Sequence, residues 1–189
     1  MRLAPIAAIV LTAAPALSQE AIHFPDKLDM PGYQAVIADA GPLYIAGQPS
    51  EAALRDVIAS GVRTVINLRT QPEMDNRKAV PFDEAALLDE LGVTYVHIPL
   101  GGPDTPYTPE AVDKFATAFE SADTKVLLHC TIAWRASHLW AAYLVKYKGY
   151  SLEDAIHEAD AINLNGYRGP GKQPIEGFLA LPEKPAGVR

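Results

Sequence analysis

The 189-residue chain contains one cysteine, Cys130. It therefore cannot close a disulfide within itself, and in an oxidising compartment a lone thiol is open to mixed disulfides or dimerisation. Basic residues are also few: 16 Lys and Arg stand against 23 Asp and Glu, a net charge of −7. That balance argues against nucleic acid or anionic lipid as a partner. The five histidines lie scattered, without the ligand spacing of a metal centre. No glycine-rich nucleotide fingerprint occurs, so no cofactor is expected. Long apolar runs are absent but for Leu3 to Leu17, which contains Pro5 and Pro15 and is too short to span a bilayer comfortably. No stable membrane span is expected, and no repeat or shift in composition marks a second domain.

The apolar run has a different meaning. Met1-Arg2 is a short basic start, and Ala16-Leu17-Ser18 puts small residues before a cut at Gln19. This is the pattern of a secretory signal peptide spanning residues 1–18. A lipoprotein would need a cysteine just after the run, and none is there. The expectation is an exported protein, periplasmic in a Gram-negative host. Cleavage removes Arg2 alone among the charges, leaving 15 basic against 23 acidic residues, a net −8. What remains, residues 19–189, is the size of one domain with a core over about 34–162. Its retained thiol fits a chemical task.

Along that chain, strand and helix signals alternate. Gln19 to Gly32 is polar and reads as an extended lead-in. Tyr33 to Ala38 and Leu43 to Ala46 read as a hairpin around Asp39-Ala40-Gly41-Pro42. Ser50 caps a helix striped by Leu54, Val57 and Ile58 and closed at Gly61. Val62–Leu68 is a strand, Arg69–Asp75 a polar loop, 83–91 a helix closed by Gly92, and Val93–Leu100 a strand. Gly101 to Pro106 is a loop, and Thr108-Pro109 starts a helix. Strand 125–130, helix 135–148 and a helix from Ser151 to about Ile162 follow. Asn163–Gln173 reads as loop, and a short helix over 175–181 precedes a Pro-rich tail. This rhythm predicts an α/β fold, a mainly parallel central sheet flanked by helices. Sites in such folds lie beyond the carboxyl ends of the strands, where Gln48, Arg69, Asp104 and Cys130 fall.

The chain centres on His129-Cys130-Thr131-Ile132-Ala133-Trp134-Arg135, between a strand and a helix start. N–H groups at a helix N-terminus lack intrahelical acceptors and attract an oxyanion. A thiol there has its thiolate, the nucleophilic form, stabilised. The guanidinium of Arg135 offers two parallel donors to phosphate. Cys130 and Arg135 are thus the candidate nucleophile and clamp, with Thr131, Ile132, Ala133 and Trp134 as the cradle. Attack on phosphorus displaces a group that needs a proton. Asp104 is the candidate acid, or else an Asx-turn residue; Glu73 and Asp75 are alternatives. Arg69 either adds charge to the rim and helps bind phosphate or braces its loop through Glu73. His129 is expected to bond backbone behind the loop, because strand alternation points it away from Cys130. Ser137 either assists the thiolate or lies in the first helical turn, and Trp134 is a pocket wall or packing.

His129-Cys130 with Arg135 resembles the active-site loop of cysteine-dependent protein tyrosine and dual-specificity phosphatases. Leu43–Ser50, Thr64–Arg69 with Glu73, and Tyr95–Pro99 resemble a bacterial branch of that group, the phosphatase-like domain also fused to beta-lactamase-like hydrolases. The likeness covers roughly residues 34–160. It implies a tyrosine/dual-specificity phosphatase-like fold, a phosphocysteine on Cys130, and phosphate held by the loop and Arg135 without a metal. It also implies a phosphorylated protein or small phosphate ester as partner. Three departures stand out. Four residues rather than five separate Cys130 from Arg135, a shortening the bacterial branch shares but also the size of a sulfurtransferase persulfide loop. Ala133 stands where Gly is usual, at a strain cost of about 1 kcal/mol if φ is positive. Ala136 replaces the usual Ser or Thr after the arginine.

Overall fold

The computed structural model describes residues 21–166 and 173–181; the signal-peptide run, part of the Asn163–Gln173 loop and the Pro-rich tail fall outside them. A sheet of six strands among the described residues runs through the centre. In chain order its strands are β1 (Asp26–Lys27), β2 (Ile37–Asp39), β3 (Leu43–Ala46), β4 (Thr64–Asn67), β5 (Thr94–His97) and β6 (Val126–His129). Across the sheet the order is β1-β2-β3-β6-β4-β5. The pairs β3–β6, β6–β4 and β4–β5 are parallel, while β1–β2 and β2–β3 are antiparallel. The mainly parallel sheet expected from the alternation is present, with the hairpin as an antiparallel extension.

Seven helices among the described residues flank the sheet: α1 (Glu51–Ala59), α2 (Gln71–Asp75), α3 (Glu84–Glu90), α4 (Pro109–Glu120), α5 (Trp134–Lys148), α6 (Leu152–Ile162) and α7 (Pro174–Phe178). Their starts follow the sequence chemistry. Ser50 Oγ accepts from Ala53 N, Asp83 Oδ1 from Ala86 N, and Ser151 Oγ from Asp154 N. Two elements differ from the sequence reading. The polar segment after Arg69 contains α2, made by a reciprocal Thr70–Glu73 capping box with Pro72 in the first turn. The lead-in contains β1, two exposed residues paired to β2. Both are too short to carry a hydrophobic period.

Strand alternation divides the core into two layers. Val126 and Leu128 of β6 join Ile66, Ile45 and Leu43 against α4, α5, α6 and α7. Leu127 faces the other way, with Val65, Leu54, Val57 and Leu88 under α1 and α3. Helix α5 is buried without a break from Arg135 through Leu144, which is why it carries apolar residues on every side. The same alternation continues past β6. His129 falls on the α1/α3 side and Cys130 joins the α5 layer.

Leu128 is fully buried in the central strand. Leu128→Ala is expected to cost about 2–5 kcal/mol, the range for a buried Leu truncated in a rigid core. A denaturant titration reads this as a lower midpoint at unchanged slope.

Candidate active site

Beyond the carboxyl ends of β4 and β6 lies a cavity of about 610 Å³. Cys130, Thr131, Ile132, Trp134 and Arg135 line it from the loop before α5; Thr70 and Glu73 line it from α2; Gly101, Gly102 and Tyr107 close it from the segment after β5. Cys130 is almost fully buried, and its N–H donates to Ala46 O at 3.2 Å. Gln48 N donates to Thr131 O at 3.0 Å, and Asn163 Nδ2 donates to Ile132 O at 2.5 Å. The loop is thus tied at its carbonyls, while the N–H groups that open α5 have no acceptor within the helix.

Ala133 sets the turn. Its φ is 65° and ψ −6°, the left-handed region that favours glycine. The strain anticipated for an alanine here is present. Ser137 Oγ donates back to Ala133 O at 2.8 Å, so its hydroxyl sits in the first helical turn. Trp134 forms a cavity wall and meets His138 edge-on, ring centres 5.2 Å apart.

Arg135 is held differently from the simple phosphate clamp its position suggested. Its Nη1 donates to Glu73 Oε2 at 2.8 Å and to Leu100 O at 2.7 Å, and its Nη2 donates to Glu73 Oε1 at 2.7 Å and to Thr131 Oγ1 at 2.9 Å. Thr131 Oγ1 in turn donates to the Glu73 carboxylate at 2.9 Å. The guanidinium stands at the cavity wall with its terminal nitrogens engaged by the fold. Burial works to raise the Glu73 carboxyl, but the Arg135 and Thr70 hydrogen bonds override it and hold the group at about 2.

Arg69 does not line the cavity. It is buried behind the loop, with Nη1 donating to Gln48 Oε1 at 2.8 Å and Nη2 to Glu73 O at 3.3 Å. It braces α2 through the Glu73 backbone, while the Glu73 carboxylate is given to Arg135. His129 bonds a carboxylate rather than backbone: Nε2 lies 2.9 Å from Glu84 Oε1, both side chains fully buried. Glu84 also accepts from Gln48 Nε2 at 2.9 Å and Asn67 Nδ2 at 3.0 Å. Burial alone would raise the Glu84 carboxyl; His129 and these amides lower it instead.

Asp104 is exposed and lines a neighbouring cavity with His97, Pro99 and Thr105, away from Cys130. Its turn is closed by Gly101 N→Thr105 O at 2.7 Å, Gly102 N→Thr105 Oγ1 at 2.9 Å and Thr105 N→Gly102 O at 3.2 Å. The shared rim expected of Gln48, Arg69, Asp104 and Cys130 therefore separates into three places: cavity, buried bracket and outer turn. Asp75 is exposed at the end of α2, bonded to Gln71 Nε2. Tyr107 and Glu84 were missed by the sequence reading. The only signal for Tyr107 was its place beside the Gly- and Pro-rich segment, and for Glu84 its first-turn position on α3.

The Glu73 pairing has a measurable consequence. A carboxyl lowered from 4.5 to about 2 on folding contributes stability present above pH 4.5 and lost as pH falls toward 2. Glu73→Gln is expected to flatten the parent's stability loss across that window, read by denaturant titrations at stepped pH.

Comparison with known proteins agrees with this geometry. A beta-lactamase hydrolase-like protein of Xylella fastidiosa is 31% identical over 99 residues, 52% of this chain but 22% of that protein's length. The chain thus matches about a fifth of that relative. A Shewanella putrefaciens protein described as a phosphatase is 24% identical and superposes with a TM-score of 0.59, covering 79% of this chain and 91% of that one. PTPMT1, solved in complex with PI(5)P, gives the same TM-score at 17% identity, covering 73% and 88%. The phosphatase-like domain of the beta-lactamase hydrolase-like proteins matches residues 40–145, a span that takes in every described residue lining the cavity. The chain belongs to that family, and its fold is that of the tyrosine and dual-specificity phosphatases.

Proposed function

We propose that the protein hydrolyses phosphate monoesters through a phosphocysteine on Cys130. The observation that carries this reading is the placement of Cys130 in a 610 Å³ cavity, at the start of a loop that turns into α5, with Arg135 beside it. In the first step the Cys130 thiolate attacks phosphorus and the ester oxygen leaves with a proton. In the second, water attacks the phosphocysteine, releasing phosphate and restoring the thiolate. Loop N–H groups at the α5 N-terminus face the three equatorial oxygens and stabilise their charge. Arg135 adds fixed positive charge at the wall, its orientation set by Glu73, Thr131 and Leu100.

The substrate class is a phosphorylated protein side chain or a small phosphate ester. The cavity volume exceeds what a bare phosphate needs, and Trp134 and Tyr107 give it aromatic walls. The leader-like residues 1–18 support action after export, in the periplasm of a Gram-negative cell.

Hydrolysis of p-nitrophenyl phosphate by the reduced protein tests the reading. Turnover is expected to fall at least about 1,000-fold in Cys130→Ser, since the covalent route is removed. Rapid mixing should show a burst of nitrophenolate stoichiometric with thiol. Turnover that survives Cys130→Ser, or its absence in folded reduced parent, would sink the reading. Thiosulfate turnover in its place would point to a Cys130 persulfide.

A further inference from the structure

Resting on that phosphatase reading, the remaining chemical need is a proton for the leaving group. Four described side chains lining the cavity carry an ionisable group: Glu73, Tyr107, Cys130 and Arg135. Cys130 is the nucleophile, and arginine does not give up its proton in a protein. Glu73 is ionised down to about pH 2 and spends its oxygens on Arg135, Thr131 and Thr70. It has no proton to give at neutral pH. Asp104 lies in a turn closed by three hydrogen bonds and faces another cavity. Asp75 lies exposed at the far end of α2.

Tyr107 remains, and its placement is specific. A methyl built on Gly101 would meet Tyr107 Oη at 2.5 Å and Arg135 Cδ at 3.7 Å, so the phenol hydroxyl and the stem of Arg135 flank the same glycine. Gly101 has φ +88° and no side chain, and this leaves the hydroxyl its room in the cavity wall. The ring is seated from behind. It meets Phe178 edge-on at 5.3 Å, and a methyl on Gly177 would strike Tyr107 O at 2.4 Å, so α7 packs directly against this backbone. The hydroxyl makes no hydrogen bond among the described residues. A seated phenol with a free proton thus opens onto the reaction cavity.

We propose that Tyr107 is the catalytic acid, donating its phenolic proton to the ester oxygen as the Cys130 sulfur takes the phosphoryl group. In that step the S–P bond forms, the P–O bond breaks, and the leaving oxygen takes the Oη proton to become an alcohol or phenol. The tyrosinate then takes a proton from the attacking water as the S–P bond breaks, restoring both groups. A phenoxide leaving group matches tyrosinate in basicity and an alkoxide exceeds it, so the donor suits unactivated aryl and alkyl phosphate monoesters. Burial is the largest effect and raises the phenol above its ordinary range; the opposing pull of Arg135 comes next, and the facing Cys130 and Glu73 add smaller rises. On α7 the one carboxylate, Glu176, is turned to the backbone N–H of Gln173.

The test compares p-nitrophenyl phosphate, whose leaving group needs no proton, with phenyl phosphate and an alkyl phosphate, in the full reduced chain. Tyr107→Phe keeps the ring on Phe178. It is expected to lose about 100-fold or more in kcat/KM on the unactivated esters, and a few-fold at most on the nitrophenyl ester. Asp104→Asn is expected to match the parent on all three. The parent's alkaline limb on phenyl phosphate is expected above about pH 10, the tyrosine range, and not in the carboxyl range. A selective loss in Asp104→Asn, a carboxyl-range limb, or an equal loss on all esters in Tyr107→Phe would overturn the assignment while leaving phosphatase chemistry intact. Absence of Cys130-dependent turnover on the nitrophenyl ester would overturn the phosphatase reading itself.

Discussion

The two-point pairing of Arg135 with Glu73 is the contact on which the cavity depends. The two hydrogen bonds, 2.8 and 2.7 Å long, join the first turn of α5 to the short helix α2. A fork-on-fork pair fixes orientation as well as distance. Arg135 then reaches Leu100 O beyond β5, and Thr131 Oγ1 closes the triangle to Glu73. Helix α2 has five residues, too few to hold itself in water. Its place is set by its capping box, by the buried Met74, by Arg69 at the Glu73 carbonyl and by this pair, and of these the pair alone ties the Glu73 carboxylate to α5 at the cavity wall.

A second buried assembly supports the loop from the opposite side of the sheet. His129, Asn67 and Gln48 converge on Glu84, and Arg69 is fastened to Gln48. Each of the three leaves the end of a different strand segment, so one carboxylate gathers three chain crossings behind Cys130. Buried ionic groups contribute little net stability against apolar replacements, yet removing one partner leaves the others unsatisfied. The arrangement therefore specifies where the strand ends lie more than it strengthens the fold. Two carboxylates sit on the two sides of one loop: Glu84 braces its entrance at His129, and Glu73 braces its exit at Arg135.

Much of this was legible in the sequence. The strand–loop–helix from Val126 to Lys148 has an apolar run, a lone Cys and an Arg at a helix start, and no competing pattern. The parallel sheet followed from the alternation of elements, and alternation also put His129 and Cys130 on opposite faces. What escaped did so for separate reasons. β1 and α2 are shorter than any hydrophobic period. The partner of His129 sits 45 residues away on α3, and a carboxylate at a helix start looks like an ordinary surface acid. Arg69 and Glu73 looked like an i,i+4 pair; their side chains approach only to 3.8 Å, because Arg135 takes both carboxylate oxygens. Asp104 had the right residue type in the right segment, but it stands exposed on a turn closed between Gly101, Gly102 and Thr105 and lines a neighbouring cavity.

Ala133 shows how the shortened loop is held. With four residues between Cys130 and Arg135, the chain must reverse and enter a helix at once. It does so through one left-handed residue, φ 65°, immediately before α5. An alanine there costs about 1–2 kcal/mol relative to a right-handed conformation. Glycine would escape that strain but would lose more backbone entropy on folding, about 0.5–1 kcal/mol, and a buried methyl worth about 0.8 kcal/mol. These terms nearly cancel, so the alanine is tolerated without a compensating feature elsewhere. Its Cβ is fully buried in the α5 core layer. The left-handed strain comes from the alanine's own backbone and persists, but the core gives the methyl a buried place that offsets part of it. The Ser137 hydroxyl returns a hydrogen bond to the Ala133 carbonyl, so the left-handed residue is closed into the first turn of the helix whose N-terminus faces the cavity.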